Sequence, residues 1–218
     1  MQTRARFQHD LTSMEKQIHE MVDGVANALK QSVDVLCKQD VAKAKKLITF
    51  DTQLNEAEQS IKEGATLLIT RQQPVASDLR RLLFAIQVTS DLERMGDHAK
   101  NINKSTIHIG EQNKLPIPIH IQKMANLALA MLETAMNAWQ HADISVARKL
   151  TQMDKEIDTL YNDVIQHTLS NNHYDKDFMM QIGLIARYLE RYADHITNIG
   201  EYIFYLVKGE STELNEKQ

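Results

Sequence analysis

Apolar residues recur at helical spacing from near the start of the chain. Met14, Ile18, Met21, Val25, Leu29 and Leu36 stand three, four or seven positions apart. That spacing puts them on one stripe of a helix that must be buried against something else. The pattern begins near Gln8 and breaks at Cys37-Lys38-Gln39-Asp40, where Asp40 suits the N-cap of a second helix reaching about Thr70. Arg71-Gln72-Gln73-Pro74 stops that helix, because proline disfavours the helical conformation of the residue before it. Ser77 or Asp78 then caps a third helix that ends near Ile109. Glu111 to Pro118, with Pro116 and Pro118, reads as a linker. Three more helices follow it: Ile119 to His141, Asp143 to about Ser170, and about Asp177 to Lys208. The fold class expected is all-α, six long helices forming two similar three-helix bundles, with short connections making neighbours antiparallel. The boundaries are 1–110 for the first bundle, 111–118 for the linker, 119–209 for the second bundle and 210–218 for a polar tail.

The two halves are copies. Leu92-Glu93-Arg94-Met95-Gly96-Asp97-His98-Ala99-Lys100-Asn101-Ile102 returns as Leu189-Glu190-Arg191-Tyr192-Ala193-Asp194-His195-Ile196-Thr197-Asn198-Ile199, with seven of eleven positions identical. Asp40 to Leu47 likewise corresponds to Asp143 to Leu150. Packing alone retains apolar character and tolerates exchange at polar positions, so repetition of Glu, Arg, Asp, His and Asn points to a duplicated chemical site.

On a helix advancing roughly 100° per residue, Glu93, Asp97 and Asn101 share one strip and Leu92, Met95, Ala99 and Ile102 lie opposite. Glu190, Asp194, Asn198 and Glu201 form the equivalent strip in the second copy. The carboxylates are therefore expected on display, facing away from the bundle interior. Like charges one turn apart oppose each other by a few tenths of a kcal/mol per pair, which suggests that a cation compensates them. The preceding helices carry more oxygen donors at the same interval: Asp154 and Asp158 in the second copy, Asp51 and Asn55 followed by Glu58 in the first. Side-by-side packing would bring four or more oxygens around one point.

Such a set is hard and oxygen-rich, suited to Mg, Mn, Ca or iron, with Zn less indicated. The ferritin-type di-iron pattern needs Glu-x-x-His, whereas His98 and His195 directly follow the Asp. The bland reading of a Glu-x-x-x-Asp pair is a solvated helix face. His98 and His195 read first as hydrogen-bonded packing residues, and Arg94 and Arg191 as salt-bridge or partner-surface residues.

Composition narrows the function further. Three prolines and seven glycines in 218 residues leave long helices uninterrupted. The single cysteine, Cys37, rules out a disulfide framework and reads as a buried small hydrophobe. A net charge of −4 without a basic stripe argues against a nucleic-acid partner. Apolar runs such as Leu82 to Val88 are too short to span a bilayer, so the expectation is a cytoplasmic protein without membrane insertion. No phosphate loop, HExxH or GxSxG motif is present. A metal-dependent phosphohydrolase using the same carboxylates remains the alternative to a non-enzymatic protein.

Pro74-Val75-Ala76-Ser77-Asp78-Leu79-Arg80-Arg81-Leu82-Leu83, Asp91 to Ala99 and Arg187 to His195 resemble the PhoU family of phosphate-transport accessory proteins. The resemblance runs from about Asp10 to Lys208. It implies two three-helix bundles, a homodimer, and metal ions on Glu93/Asp97, Glu190/Asp194 and Asp154/Asp158. It further implies a negative regulator of the phosphate regulon, a metal-binding adaptor between the phosphate ABC transporter ATPase subunit and a sensor histidine kinase. Asn55, where the second copy has Asp158, departs from the pattern and makes equal occupancy of the two sites doubtful.

Overall fold

The computed structural model describes residues 2–48, 51–110, 115–210 and 214; for residues 2, 3, 51, 52, 147 and 148 only the backbone is described. Seven helices occur among the described residues: α1 (Gln2–Lys38), α2 (Val41–Leu47), α3 (Asp51–Gln72), α4 (Ala76–Ile109), α5 (Ile119–His141), α6 (Val146–Leu169) and α7 (Lys176–Lys208). The apolar stripe of α1 is buried as its spacing demands, with Ile18, Val25, Leu29 and Leu36 fully covered. Asp40 caps α2 by accepting the Lys43 N–H at 2.9 Å, and Asp175 caps α7 by accepting that of Phe178 at 2.8 Å.

Three expectations need correction. The predicted second helix is two helices, because α2 closes at Ile48, whose N–H bonds to the Ala44 carbonyl. Ile48 is followed by Thr49 and Phe50, which lie outside the described residues. The second copy has Thr151-Gln152-Met153 at these positions, and α6 runs through them unbroken. Neither Ser77 nor Asp78 caps α4, which begins after Val75 without a side-chain cap. Asp78 instead accepts from Arg4 at 2.6 Å and ties the start of α4 to α1. Cys37 is exposed rather than buried, with its Sγ 3.6 Å from the Gln122 side-chain oxygen.

Helices α1 to α4 form the first bundle and α5 to α7 the second. The bundles share one continuous core, joined where α4 packs on α7 and α1 on α5. Along the α4–α7 seam, Arg80 meets the Leu206 carbonyl, Asp91 meets His195 and His108 meets Asp177, so the two helices run antiparallel. His98 and His195 occupy equivalent positions in the two copies, and their ring centroids lie 5.4 Å apart at the centre of the seam. The duplicated motifs therefore meet about a pseudo-twofold axis.

The seam is polar at this centre. Asp91, 7% exposed, accepts from His195 Nδ1 at 2.6 Å and from the Asn198 amide at 3.3 Å. Its counterpart in the second copy is Tyr188, which stacks on His98 at 6.1 Å. One side of the pseudo-axis is held by a hydrogen-bonded Asp–His pair and the other by aromatic packing. No helix of the described residues is long and apolar enough to cross a membrane.

Removing a buried carboxylate strands its donors, so Asp91→Ala should lower unfolding free energy by about 2–3 kcal/mol. Adding His195→Ala should cost less than the sum of the two single changes, by about 1–2 kcal/mol. Urea denaturation of the four proteins in the cycle measures both, and strict additivity would show that the pair contributes nothing.

Candidate functional site

The acidic strips are set by packing on both sides. Leu189, Tyr192, Ile196 and Ile199 hold α7 in the core, which turns Glu190 and Asp194 toward the groove beside α6. The strips are not on open display as the helical projection suggested. Glu190 is only 7% exposed, and the side chains of Asp194 and Glu93 are 20% and 15% exposed. A projection shows which residues share a strip and omits the neighbouring helix that covers it.

In the second copy Asp154 is the focus. Burial pushes its carboxyl up to about 6, and the negative charges of Asp194, Asp158 and Glu190 reinforce the shift. The Thr197 hydroxyl, 3.4 Å away, offsets only part of it. Arg187 on the preceding turn of α7 holds Glu190 with both carboxylate oxygens engaged, and Arg191 lies 3.7 Å from Asp194. Three carboxylates of α6 and α7 thus act on Asp154 in the groove between these helices. Two predicted members lie elsewhere: Asn198 points into the α4–α7 seam toward Asp91, and Glu201 accepts the N–H of Leu214 at 2.7 Å.

The first copy is neutralised by its own cations. Glu58 accepts from Lys62 at 2.5 Å and from Ser90 at 3.0 Å. Asp97 lies 3.7 Å from Arg94 and 3.9 Å from Lys100, while Arg94 also lies 3.7 Å from Glu93. Asn101 accepts from Lys104 at 3.2 Å, Asn55 is exposed, and the side chain of Asp51 is outside the described residues. Lys100 stands where the second copy has Thr197. An ammonium in one copy thus replaces a hydroxyl in the other, a larger asymmetry than the Asn55 substitution alone.

A hard cation suits the donor chemistry of the second groove, where Asp154 carries like-charge repulsion that a cation would relieve. Among the described residues no three Asp, Glu, His or Cys side chains are placed to hold one ion together. Asp154, Asp158, Glu190 and Asp194 are the residues that would supply ligands. His195 is a hydrogen-bonded packing residue, as its position suggested. His98 packs without a partner for its Nδ1, and burial first, then His195, Arg191 and Arg94, push its pKa down to about 4. Asp91 was not legible as a site residue, because comparing the copies sets it against Tyr188.

The model of the PhoU domain matches residues 18–106 and, a second time, residues 121–203. The chain belongs to the PhoU family. A phosphate-specific transport system accessory protein PhoU homolog from Rhizobium meliloti (strain 1021) is 32% identical over 207 residues, covering 93% of this chain and 87% of that protein. The crystal structure of the phosphate transport system regulatory protein PhoU from Streptococcus pneumoniae superposes with a TM-score of 0.87 at 29% identity, covering 95% of this chain and 99% of that one. PhoU from Pseudomonas aeruginosa gives 0.85 at 27% identity, covering 94% and 100%. The PhoU fold is thus retained over nearly the whole chain.

The carboxyl of Asp154 has a folded pKa above its ordinary value, so it stays protonated more readily in the folded state. In metal-free protein its contribution to stability is fully present below about pH 4 and is lost as pH rises toward about 6. His98 acts oppositely: its depressed pKa gives stability present above about pH 6.5 and lost as pH falls toward 4. Asp154→Asn should therefore stabilise the metal-free protein at pH 7, on the order of 1 kcal/mol after solvent screening, and leave it unchanged at pH 3.5. Denaturant titration with chelator present across this range checks it; an equal effect at both pH values would remove the like-charge account.

Proposed function

We propose that this chain is a non-enzymatic regulator of phosphate uptake and of the phosphate-starvation response, working as an accessory protein of a phosphate transport system. The observation that carries this reading is the double PhoU-domain match over nearly the full length, together with relatives and solved neighbours that bear accessory or regulatory names. Within that role, a divalent or trivalent cation bound by Asp154, Asp158, Glu190 and Asp194 would relieve their repulsion and draw α6 and α7 together. The cation-stiffened groove then serves as one face of an adaptor between the transporter ATPase subunit and a sensor histidine kinase. The protein acts as a homodimer in the cytoplasm. Support for the cation comes from the raised Asp154 carboxyl, and support for a weaker first site from Lys62 and Lys100 beside its carboxylates.

Elemental analysis after dialysis against Mg, Mn or iron should find more cation in the wild type than in the Asp154→Asn/Asp194→Asn variant, while Asp97→Asn should lose less. Disruption of the gene should derepress phosphate uptake in phosphate-rich medium, and the wild-type chain should restore repression. Pull-down of the ATPase subunit and the kinase from the same cells tests the adaptor role. Full capture of both by the doubly neutralised variant, with metal content unchanged, would detach the carboxylates from the function and leave the family role standing.

A further inference from the structure

A cleft of about 430 Å³ opens between the two bundles, at the end of the seam away from the acidic groove's centre. Four helices of both copies build it. Leu11, Ile18 and Phe84, all 2% exposed or less, form its covered floor on α1 and α4; the half-buried Trp139 of α5 and Leu206 and Val207 of α7 supply the apolar surface that is open to it. Volumes of this size with apolar, aromatic walls at the join of two units are typical of small-ligand sites, whereas well-packed interiors hold few voids larger than water. The Trp139 ring is held in place from two sides, by Phe84 at 5.0 Å and by His19 stacked at 4.7 Å.

The polar groups on the cleft are few and mostly cationic. Arg81 is satisfied by Glu15 at 2.6 Å, a neutral pair. Arg80 uses its Nε on the Leu206 carbonyl at 3.1 Å, which anchors the guanidinium, and it has no carboxylate partner among the described residues. Ser77 adds a hydroxyl in the first turn of α4, whose N-cap Val75 makes no side-chain hydrogen bond. Asp78, the nearby acid, is engaged by Arg4. Among the described residues the rim thus offers one anchored positive charge without a carboxylate partner above an apolar chamber.

We propose that this cleft binds a small amphiphile with one anionic head, an acyl or aryl body lying against Trp139, Leu206 and Val207 and a carboxylate or phosphate on Arg80 and Ser77. The site is independent of the cation groove and of the regulatory role above. An anchored arginine with free N–H donors recognises such a head through charge-assisted hydrogen bonds, and the apolar walls supply the remaining affinity.

Trp139 is the single tryptophan of the chain, so its fluorescence reports on the cleft directly. Titrating the full-length protein with sodium decanoate should change that emission saturably, at one site per chain, while uncharged decanol binds at least about tenfold more weakly. Arg80→Gln should bring decanoate down to the level of decanol, and Arg80→Lys should retain most of the preference. Because Arg80 also sits at the end of α7, Ala85→Leu, which adds bulk to the cleft wall, provides a second variant and should abolish the response to both probes. No saturable response in the wild type overturns the site. Equal affinity for decanoate and decanol, or a preference untouched by Arg80→Gln, overturns the anionic head. Binding to phosphatidylglycerol vesicles without any response to decanoate would replace a free amphiphile with a membrane surface and overturn the proposal as well.

Discussion

The contact between Asp91 and His195 governs how the two halves of this molecule sit. A carboxylate as covered as Asp91 must be hydrogen-bonded, since leaving it unpaired in a packed seam costs several kcal/mol. Its donors, His195 and Asn198, lie on the other bundle. Both donors meet its Oδ1, and that pairing sets the register of α4 against α7. It follows that Arg80 reaches the end of α7 and His108 reaches its beginning. Hydrophobic burial supplies the general attraction between the bundles, and the polar pair selects one alignment of it.

Duplication followed by divergence explains why the two acidic strips behave differently. Both copies keep Glu, Arg, Asp, His and Asn on α4 and α7. Around them, Lys62 and Lys100 compensate the first strip, whereas the equivalent positions in the second are Ile165 and Thr197. The acid that remains strained is Asp154, where burial and three like charges act together. A cation would be drawn most strongly to a raised carboxyl in a partly dry groove, where its field is least screened, and Asp154 of the second strip is that carboxyl. The seam diverges in the same way: Asp91 in one copy faces His195, while Tyr188 in the other stacks on His98.

Much of the site was legible because helical geometry is local. The apolar seams behind the carboxylates and the cap at Asp40 followed from residue spacing and were found in place. Their exposure was not legible, because the helix that covers Glu190 belongs to another part of the chain. Asn198 and Glu201 shared the strip by projection yet found partners elsewhere, in Asp91 and Leu214. Asp91 was hidden by the repeat itself, since a comparison of copies highlights what they share and passes over what one copy gained.

Spacing and composition by themselves determined an all-helical, internally duplicated chain with an acidic row in each copy, because a 3.6-residue period and the chemistry of side chains need no tertiary context. Tertiary structure decided which carboxyl is raised by burial and like charges, which histidine is paired, where the long second helix divides, and that a cleft lies between the bundles. Those properties depend on distances between residues far apart in the chain, and electrostatic energy varies with such distances and with the water excluded from between them.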